Sequence, residues 1–215
     1  MIDIQPRLLI ILLAYVSASV CAGAAEPNAV GIVMKVTGET TPNLAAREEI
    51  PANTAIKLYP GVELTFLHYP PNCELVTVTG GTVKLSKTAF TTDGNIKNQQ
   101  GRACPRLYEL SGTAGGWVAR DLLRLPVDPE IIFAGSRGDQ VAAAAVYDKD
   151  QPDQLLFRFE LADRRATQPA AAAPLNRDRR YVLKVTMRDN PQSIDYPFII
   201  VSSGQGDSLV VLHVD

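Results

Sequence analysis

The sequence predicts an all-β protein built from two small β domains. Of its 215 residues, 46% are hydrophobic and 20% are charged, a balance typical of a packed globular protein rather than a disordered one. Short runs of alternating apolar and polar residues recur along the chain, separated by turns rich in glycine and proline. In the first half, no apolar pattern with a helical period continues for more than about two turns. We therefore expect strands, each with one face in a core and one face in water.

Residues 1–25 have the order of a secretory signal peptide. Arg7 precedes an apolar stretch from Leu8 to Val20, and Ala22-Gly23-Ala24 then fits the small-residue rule for cleavage. The apolar stretch is shorter than the roughly 20 residues that span a bilayer. We expect cleavage near Ala24 or Ala25 and a periplasmic or secreted protein, with an uncleaved membrane anchor as the alternative. No later segment is apolar for long enough to predict a membrane span.

The predicted mature chain retains two cysteines, Cys73 and Cys104. An exported protein folds in an oxidising compartment, where two thiols most often pair. The chain has no C-x-x-C redox motif, so we interpret the pair as a structural disulfide. Two free, buried thiols are the alternative.

Residues 26–125 are predicted to form the first domain, a β module that contains this disulfide. Two strands are expected at Cys73–Thr79 and Thr82–Ser86, joined by a tight turn at Gly80-Gly81. The polar stretch from Thr91 to Arg102 predicts a long loop that Cys104 holds in place.

Residues 126–215 are predicted to form the second domain, after a proline-containing linker. Alternating residues are expected to share one face in each of two strands: Leu155, Phe157, Phe159 and Leu161 in the first, and Tyr181, Leu183, Val185 and Met187 in the second. The composition of residues 204–207 predicts a hairpin between Pro197–Ser202 and Leu209–Val214. Ala142–Ala145 is compatible with a short helix or a closely packed strand.

Tyr181 opens its strand six residues after Leu175. This spacing resembles the tyrosine corner of immunoglobulin-like and fibronectin type III sandwiches, in which the tyrosine hydroxyl bonds to the backbone of the preceding turn. The resemblance implies an immunoglobulin-like β-sandwich with the Tyr181 ring buried at its corner. Asn176, Arg177 and Asp178 stand where that family usually has Pro-Gly. An ordinary strand-opening tyrosine is the alternative.

Two further resemblances concern residues before 126. Gly31–Gly38, Ile50–Leu58, Val62–Leu67 and Val76–Leu85 together resemble a FecR-type domain, an extracytoplasmic β module with short strands around glycine turns. Gly115–Leu122, which contains the sole tryptophan, Trp117, is similar to the closing strand of bacterial SH3-like domains. These resemblances imply a module of the cell envelope, and the second implies contact with cell-wall peptides.

The composition argues against several classes of function. The net charge of −2 provides no electrostatic basis for binding nucleic acid, and we expect no cofactor and no metal site. A catalytic base could come only from His68 or His213, and both positions are interpreted as rim positions. Ala134-Gly135-Ser136-Arg137-Gly138 lacks the first glycine of a nucleophile elbow. We therefore predict no catalytic residues.

Two charged clusters have alternative interpretations. Asp148, Asp150 and Asp153 resemble a calcium loop, but Pro152 interrupts the pattern, and we favour an exposed acidic hairpin loop. Five arginines could contact anionic envelope polymers, although a solvated loop face is the favoured interpretation. They are Arg164, Arg165, Arg177, Arg179 and Arg180.

The function expected from the sequence is that of an exported, non-catalytic binding or scaffolding module in the cell envelope. Its partner is expected to be another envelope protein or a cell-wall polymer. The alternative is a hydrolase acting on a cell-wall or glycan substrate. A hydrolase requires a cleft with converging titratable groups, whereas a scaffold presents sheet faces and edges.

Overall fold

The computed structural model describes residues 29–69, 71, 73–110, 122–190, 192–202 and 208–214. The predicted signal peptide, Trp117 and the turn at residues 204–207 lie outside this part of the chain. The described residues form strands and one short 3-10 helix, Gly138–Gln140, without an α-helix. The all-β prediction is therefore confirmed. Within the same residues, no helix has the length and hydrophobicity that crossing a membrane requires.

Sheet A is a seven-stranded curled sheet, or half-barrel, formed by the N-terminal half of the described chain. Its strands are β1 (Ala29–Thr37), β2 (Thr40–Thr41), β3 (Glu49–Pro51), β4 (Ala55–His68), β5 (Glu74–Leu85), β6 (Phe90–Thr92) and β7 (Asn95–Gly101). The main order is β3-β1-β4-β5-β6, with β2 paired to β4 and β7 paired to β5. Apolar side chains of β4 and β5, including Leu64, Phe66 and Val83, are fully buried in its core.

Glycines bend the central pair of this sheet, β4 and β5. Leu58 pairs with Gly81 and Glu63 pairs with Thr79, so residues 59–62 of β4 bulge opposite Gly80. Gly80 and Gly81 have φ of 62° and 77°, in the left-handed region that glycine tolerates without steric cost. The predicted tight turn at Gly80-Gly81 is wrong, because β5 continues through both residues. A bulge in the partner strand accommodates the bend there.

The predicted loop from Thr91 to Arg102 is also wrong. β6 occupies its beginning, and β7 runs antiparallel to β5 from Asn95 to Gly101. All seven residues of β7 are exposed, so their polarity is compatible with a strand at the edge of a sheet. Pairing to β5, rather than an apolar pattern, defines this strand.

The C-terminal half is a sandwich of two five-stranded sheets, B and C. The strands are β8 (Arg106–Leu110), β9 (Leu123–Leu125), β10 (Glu130–Ala134), β11 (Val141–Asp148), β12 (Leu155–Arg158), β13 (Glu160–Ala162), β14 (Arg165–Thr167), β15 (Arg180–Met187), β16 (Ser193–Ile200) and β17 (Leu209–Val214). Sheet B has the order β13-β14-β10-β17-β8, and sheet C has the order β12-β11-β15-β16-β9. Their facing side chains form one core, with Phe133 and Phe198 fully buried within it.

The two C-terminal sheets include strands that come before residue 126, the predicted start of the second domain. β8 pairs parallel with β17, and β9 pairs parallel with β16. The Tyr108 hydroxyl also donates to the Arg124 carbonyl at 3.0 Å and accepts from the Arg124 amide at 3.1 Å. β8 and β9, which both precede residue 126, therefore join the sheets of the C-terminal half.

The pairing of the strands decides two predictions that the sequence made for the C-terminal half. Ala142–Ala145 lies in β11 and is thus a strand rather than a helix. β16 belongs to sheet C and β17 to sheet B, so these two strands do not form the predicted hairpin. The hairpin prediction is wrong because β17 crosses to the other sheet and pairs there with β10 and β8.

The central strands of sheet B, β10 and β17, are buried on both faces. One face packs on sheet C through residues such as Ile131 and Phe133, whereas Ile132 and Leu209 point the other way. The second face packs against Ile32, Leu67 and Tyr69 of sheet A, all of them buried. Sheet B is therefore the middle layer of a three-layer arrangement.

Alternation in β15 matches the sequence pattern. Tyr181, Leu183, Val185 and Met187 are all at most 2% exposed. In β12, Phe157 is buried but Leu155 is exposed, so the expectation that they share a buried face is wrong. A register shift in the pairing of β11 with β12, between Val146 and Tyr147, explains the difference, because a bulge changes the direction of the following side chains.

Tyr181 has the hydrogen bonds expected of a tyrosine corner. Its hydroxyl accepts from the Asn176 amide at 2.7 Å and donates to the Asn176 carbonyl at 3.1 Å. The ring is 2% exposed, and Leu175 of the preceding turn is buried. One side chain therefore fixes the turn before β15.

Tyr181→Phe should lower the free energy of unfolding by about 1–2 kcal/mol, because it removes the acceptor of the Asn176 amide and leaves the Asn176 carbonyl with only the Arg179 amide, at 3.4 Å. The control is Tyr147→Phe, since the Tyr147 hydroxyl bonds to no described residue and the ring keeps its stacking with Lys184. Urea unfolding at equilibrium measures both variants, and the control should change by less than about 0.5 kcal/mol. Equal effects for the two variants would contradict the role assigned to Tyr181.

Candidate functional site

A disulfide joins Cys73 and Cys104, with 5.0 Å between their Cα atoms. Cys73 is 1% exposed and precedes β5, whereas Cys104 is exposed and follows β7. The Arg102 amide donates to the Cys73 carbonyl at 2.8 Å beside this link. The disulfide therefore fastens the end of β7 to the start of its neighbour.

β7 is the longest strand at a sheet edge, and no described strand pairs with its outer side. Lys97 is an extra residue in its pairing with β5, because Asn98 pairs with Thr77 and Ile96 with Val78. This bulge turns Ile96 and Gln99 toward the same face of the sheet, since their cross-strand partners are the core residues Val78 and Val76.

A cavity of about 380 Å³ lies on that face beside β7. Ile96, which is 43% exposed, and the half-buried Phe90 form its apolar part. Phe90 packs edge-to-face on Phe66 of the core, with ring centroids 5.5 Å apart. On the polar side, the Gln99 side chain donates to Glu74 at 3.2 Å. The edge thus exposes apolar surface next to the core.

The two histidines are buried, so the expectation that they occupy rim positions is wrong. His68 is 0% exposed, with Nε2 2.8 Å from the Ser86 carbonyl and Nδ1 without a hydrogen-bond partner among the described residues. His213 is 5% exposed. The proximity of His213 to the C-terminus suggests the rim, but sheet A covers β17 in the middle sheet.

His213 belongs to a polar network between sheets A and B. Its Nδ1 lies 3.3 Å from Glu49 Oε2, and the Tyr69 hydroxyl donates to Glu49 Oε1 at 3.3 Å. Burial raises the pKa of Tyr69 well above its usual value, and the Glu49 carboxylate raises it further. Because Tyr69 stays protonated, it remains a donor to Glu49 at neutral pH.

A cleft forms next to this network, where three turns from distant parts of the sequence meet. We call it the inter-half cleft; it consists of two open cavities of about 450 Å³ and about 370 Å³. Arg164 lines both cavities. The larger cavity is also lined by Ala45, Ala46, Phe133, Gly138, Asp139, Val141, Leu161, Ala162, Asp163 and Arg188, and the smaller one by Glu48, Glu49, Gly135 and Ser136.

Backbone strain is concentrated around this cleft. Arg47, Asp163 and Arg164 have φ of 67°, 47° and 64°, and they are three of the five non-glycine residues with positive φ in the described chain. Such conformations cost free energy and cluster at functional sites. Burial lowers the pKa of Arg47 from its ordinary value. The Arg47 guanidinium donates to the Met34 carbonyl, so it fixes the 45–49 turn to β1.

The cleft brings together only part of a hydrolase site. Ser136 lines the smaller cavity with Glu49, and Glu49 in turn contacts His213. Ser136 follows Gly135 at the end of β10 and leads into a 3-10 helix. The nucleophile-elbow pattern requires a strand followed by a helix, and three residues of 3-10 helix do not provide one.

Of the three aspartates expected in an exposed loop, one is buried and two are exposed. Asp148 is 2% exposed, accepts from the Asp150 amide at 2.9 Å and pairs with Arg179 at 2.8 Å. Asp150 and Asp153 are exposed in the connection between β11 and β12. In the described part of the chain, no three aspartate, glutamate, histidine or cysteine side chains converge as metal ligands.

The five arginines do not form one basic face. Arg165 pairs with Glu130 at 2.9 Å, Arg179 pairs with Asp148, and Arg164 lies 3.8 Å from Asp139. Arg177 and Arg180 are exposed. Opposite charges beside three of the five support the interpretation of a solvated surface over a polymer-binding stripe.

No protein family, curated protein or solved structure matches this chain when it is compared with known proteins. The cleft was not expected from the sequence, because its turns are separated by more than 80 residues along the chain, from Glu48 to Gly135. The only feature of the local sequence that pointed to the cleft was the adjacent pair Asp163-Arg164, which lies in a turn between two short strands. Charge alone, without the geometry, does not distinguish that pair from a solvated turn.

Proposed function

We propose that this protein is an exported, non-catalytic module of the cell envelope that binds another envelope protein through β7. The observation that carries the proposal is the exposed edge of β7, seven residues long and unpaired on its outer side within the described chain. The disulfide supports export, because such bonds persist in oxidising compartments.

The partner is an extended segment that adds a strand to sheet A. Every second residue of β7 directs its backbone N–H and C=O groups away from β5, where an incoming strand can pair with them. An apolar side chain on the core face of that strand would cover Ile96 and Phe90. Burial of exposed apolar surface then adds to the backbone hydrogen bonds.

The same proposal interprets sheets B and C as an immunoglobulin-like sandwich that carries sheet A. The hydrogen bonds of Tyr181 to the preceding turn support this interpretation. The antiparallel pairs β10–β14 and β13–β14 face the antiparallel set β12-β11-β15-β16 across one core. The FecR-like assignment of sheet A remains a proposal that rests on the sequence resemblance alone.

Photo-crosslinking in the expressing cell tests the β7 interface. With a benzophenone side chain at Lys97, we expect one discrete crosslinked protein, which is absent when the crosslinker is placed at the exposed Arg177. Ile96→Lys should lower the yield by at least about 10-fold, because it places a charge in the buried interface. Leu155→Lys is the matched control, since Leu155 is 42% exposed on the edge strand β12.

The β7 proposal fails if the Lys97 crosslinker captures nothing, or if Ile96→Lys and Leu155→Lys have the same effect. If the crosslinker does capture a partner, mass spectrometry identifies it, and the purified partner is titrated with this protein directly. The same variants should rank in the same order in that titration.

A hydrolase is the second candidate, because Ser136, Glu49 and His213 lie at the same end of β10 and β17. A fluorophosphonate probe distinguishes the two functions, since it labels an activated serine. The binding proposal predicts no labelling of the folded protein. Labelling that Ser136→Ala and His213→Gln both abolish would instead support the hydrolase.

A further inference from the structure

We propose that the larger cavity of the inter-half cleft binds a short peptide with both termini free. This inference goes beyond the proposed function and does not depend on β7, which belongs to sheet A and lines neither cavity of the cleft. The size of the cavity, the charges around it and the constrained backbone that forms its wall support the inference.

The size of the cavity suits a small ligand. Its volume of about 450 Å³ lies within the range of roughly 300–1,000 Å³ that small-molecule sites occupy. Val141 and Leu161 provide apolar wall, and Ala45 and Ala46 close the side that belongs to the N-terminal half. Small apolar side chains of a peptide fit such walls.

Two arginines that line the cavity suit a terminal carboxylate. Arg164 makes no side-chain hydrogen bond with any described residue, and its one ion pair, with Asp139, is long at 3.8 Å. Arg188 is exposed, and its side chain forms no ion pair within the described chain. Guanidinium groups bind carboxylates through paired N–H donors.

Two carboxylates in the same wall suit a terminal ammonium. Asp163 is exposed and interacts electrostatically with Arg47 without a close ion pair, and Asp139 lies 3.8 Å from Arg164. The lining has two arginines and two aspartates and therefore no net charge, so a ligand with a single charge would leave the occupied site with a net charge. A zwitterion complements both pairs, and a peptide with free termini is zwitterionic at neutral pH.

The wall that carries these charges is constrained. An added Cβ at Gly138 would lie 2.4 Å from the Phe133 carbonyl oxygen and 3.7 Å from Arg164 Nη1. Only glycine therefore allows the chain to pass so close to β10 beneath the guanidinium. The left-handed backbone of Asp163 and Arg164 holds both side chains on one tight turn. Preorganised charges lose less conformational entropy when a ligand binds.

Calorimetric titration with trialanine tests the inference. We expect binding with a Kd between about 10 µM and 1 mM, and binding of N-acetyl-trialanine and trialanine amide at least about 10-fold weaker. Each blocked peptide lacks one of the two terminal charges. The full mature chain is used, and circular dichroism confirms that every variant is folded.

Two variants assign each terminus to its pair of residues. Arg164→Gln should weaken trialanine at least about 10-fold without further weakening trialanine amide, which has no carboxylate. Asp163→Asn should weaken trialanine without further weakening N-acetyl-trialanine, and asparagine tolerates the left-handed backbone. Arg177→Gln, in an exposed turn, is the matched control and should leave every affinity unchanged.

The inference is overturned if trialanine does not bind at concentrations up to about 10 mM. It is also overturned if either blocked peptide binds as tightly as trialanine, or if a variant weakens all three peptides equally. These outcomes leave the crosslinking result at β7 unaffected, so the two proposals can fail separately.

Discussion

Phe198→Ala should lower the free energy of unfolding by about 3–5 kcal/mol. Phe198 is fully buried between sheets B and C, and its ring lies 5.4 Å from the Tyr181 ring. Truncation removes apolar burial and leaves a cavity that the two sheets can only partly fill. Urea unfolding followed by far-UV circular dichroism measures the change, and the parent spectrum should be that of a β protein.

Leu155→Ala is the control for this variant, since Leu155 lies in the same sheet but is 42% exposed. It should change the free energy of unfolding by less than about 1 kcal/mol. Similar losses for the two variants would contradict the assignment of Leu155 to the surface. A Phe198→Ala protein as stable as the parent would contradict the packing of sheet C on sheet B.

Removal of the disulfide should have an effect of comparable size. The double variant Cys73→Ala/Cys104→Ala should lose about 3–4 kcal/mol, because the link closes a loop between residues 31 positions apart and limits the unfolded chain. The loss should be greatest at the β5–β7 edge. Hydrogen exchange of residues 74–101 measures it locally, and urea unfolding measures it globally.

Reduction of the parent protein provides the comparison. The parent in a strong reductant should approach the stability of the double variant, and the reductant should leave the double variant itself unchanged. An oxidised parent and a double variant with equal stability would show that the loop constraint contributes nothing. Alkylation of both cysteines before reduction would show that the bond is absent.

The sequence pattern was most informative where one strand face is buried by neighbours in its own half. The alternation in β15 predicted the four buried side chains from Tyr181 to Met187, and the spacing to Leu175 predicted the hydrogen-bonded hydroxyl. These features depend on the strand period and on a turn close by in the sequence. Local residues therefore suffice to predict them.

The pattern failed where pairing between distant segments decides the structure. β7 has no apolar period, and only its register with β5 makes it a strand. His213 and His68 have the polarity of surface residues, but neighbouring layers cover both. Residues 45–49, 135–139 and 161–164 form a cleft only when sheets A and B pack together. No property of any one segment encodes that proximity.

The middle position of β17 has a consequence for the order of folding. β17 follows every other described strand in the chain, yet it lies between β10 and β8, whose residues are translated before it. Sheet A, with mostly neighbouring pairs, can form as it emerges, but sheet B has to wait for its central strand. Long-range parallel pairing of this kind is slow, and the waiting strands expose apolar surface. A chaperone that shields β10 until β17 arrives would therefore raise the yield of folded protein.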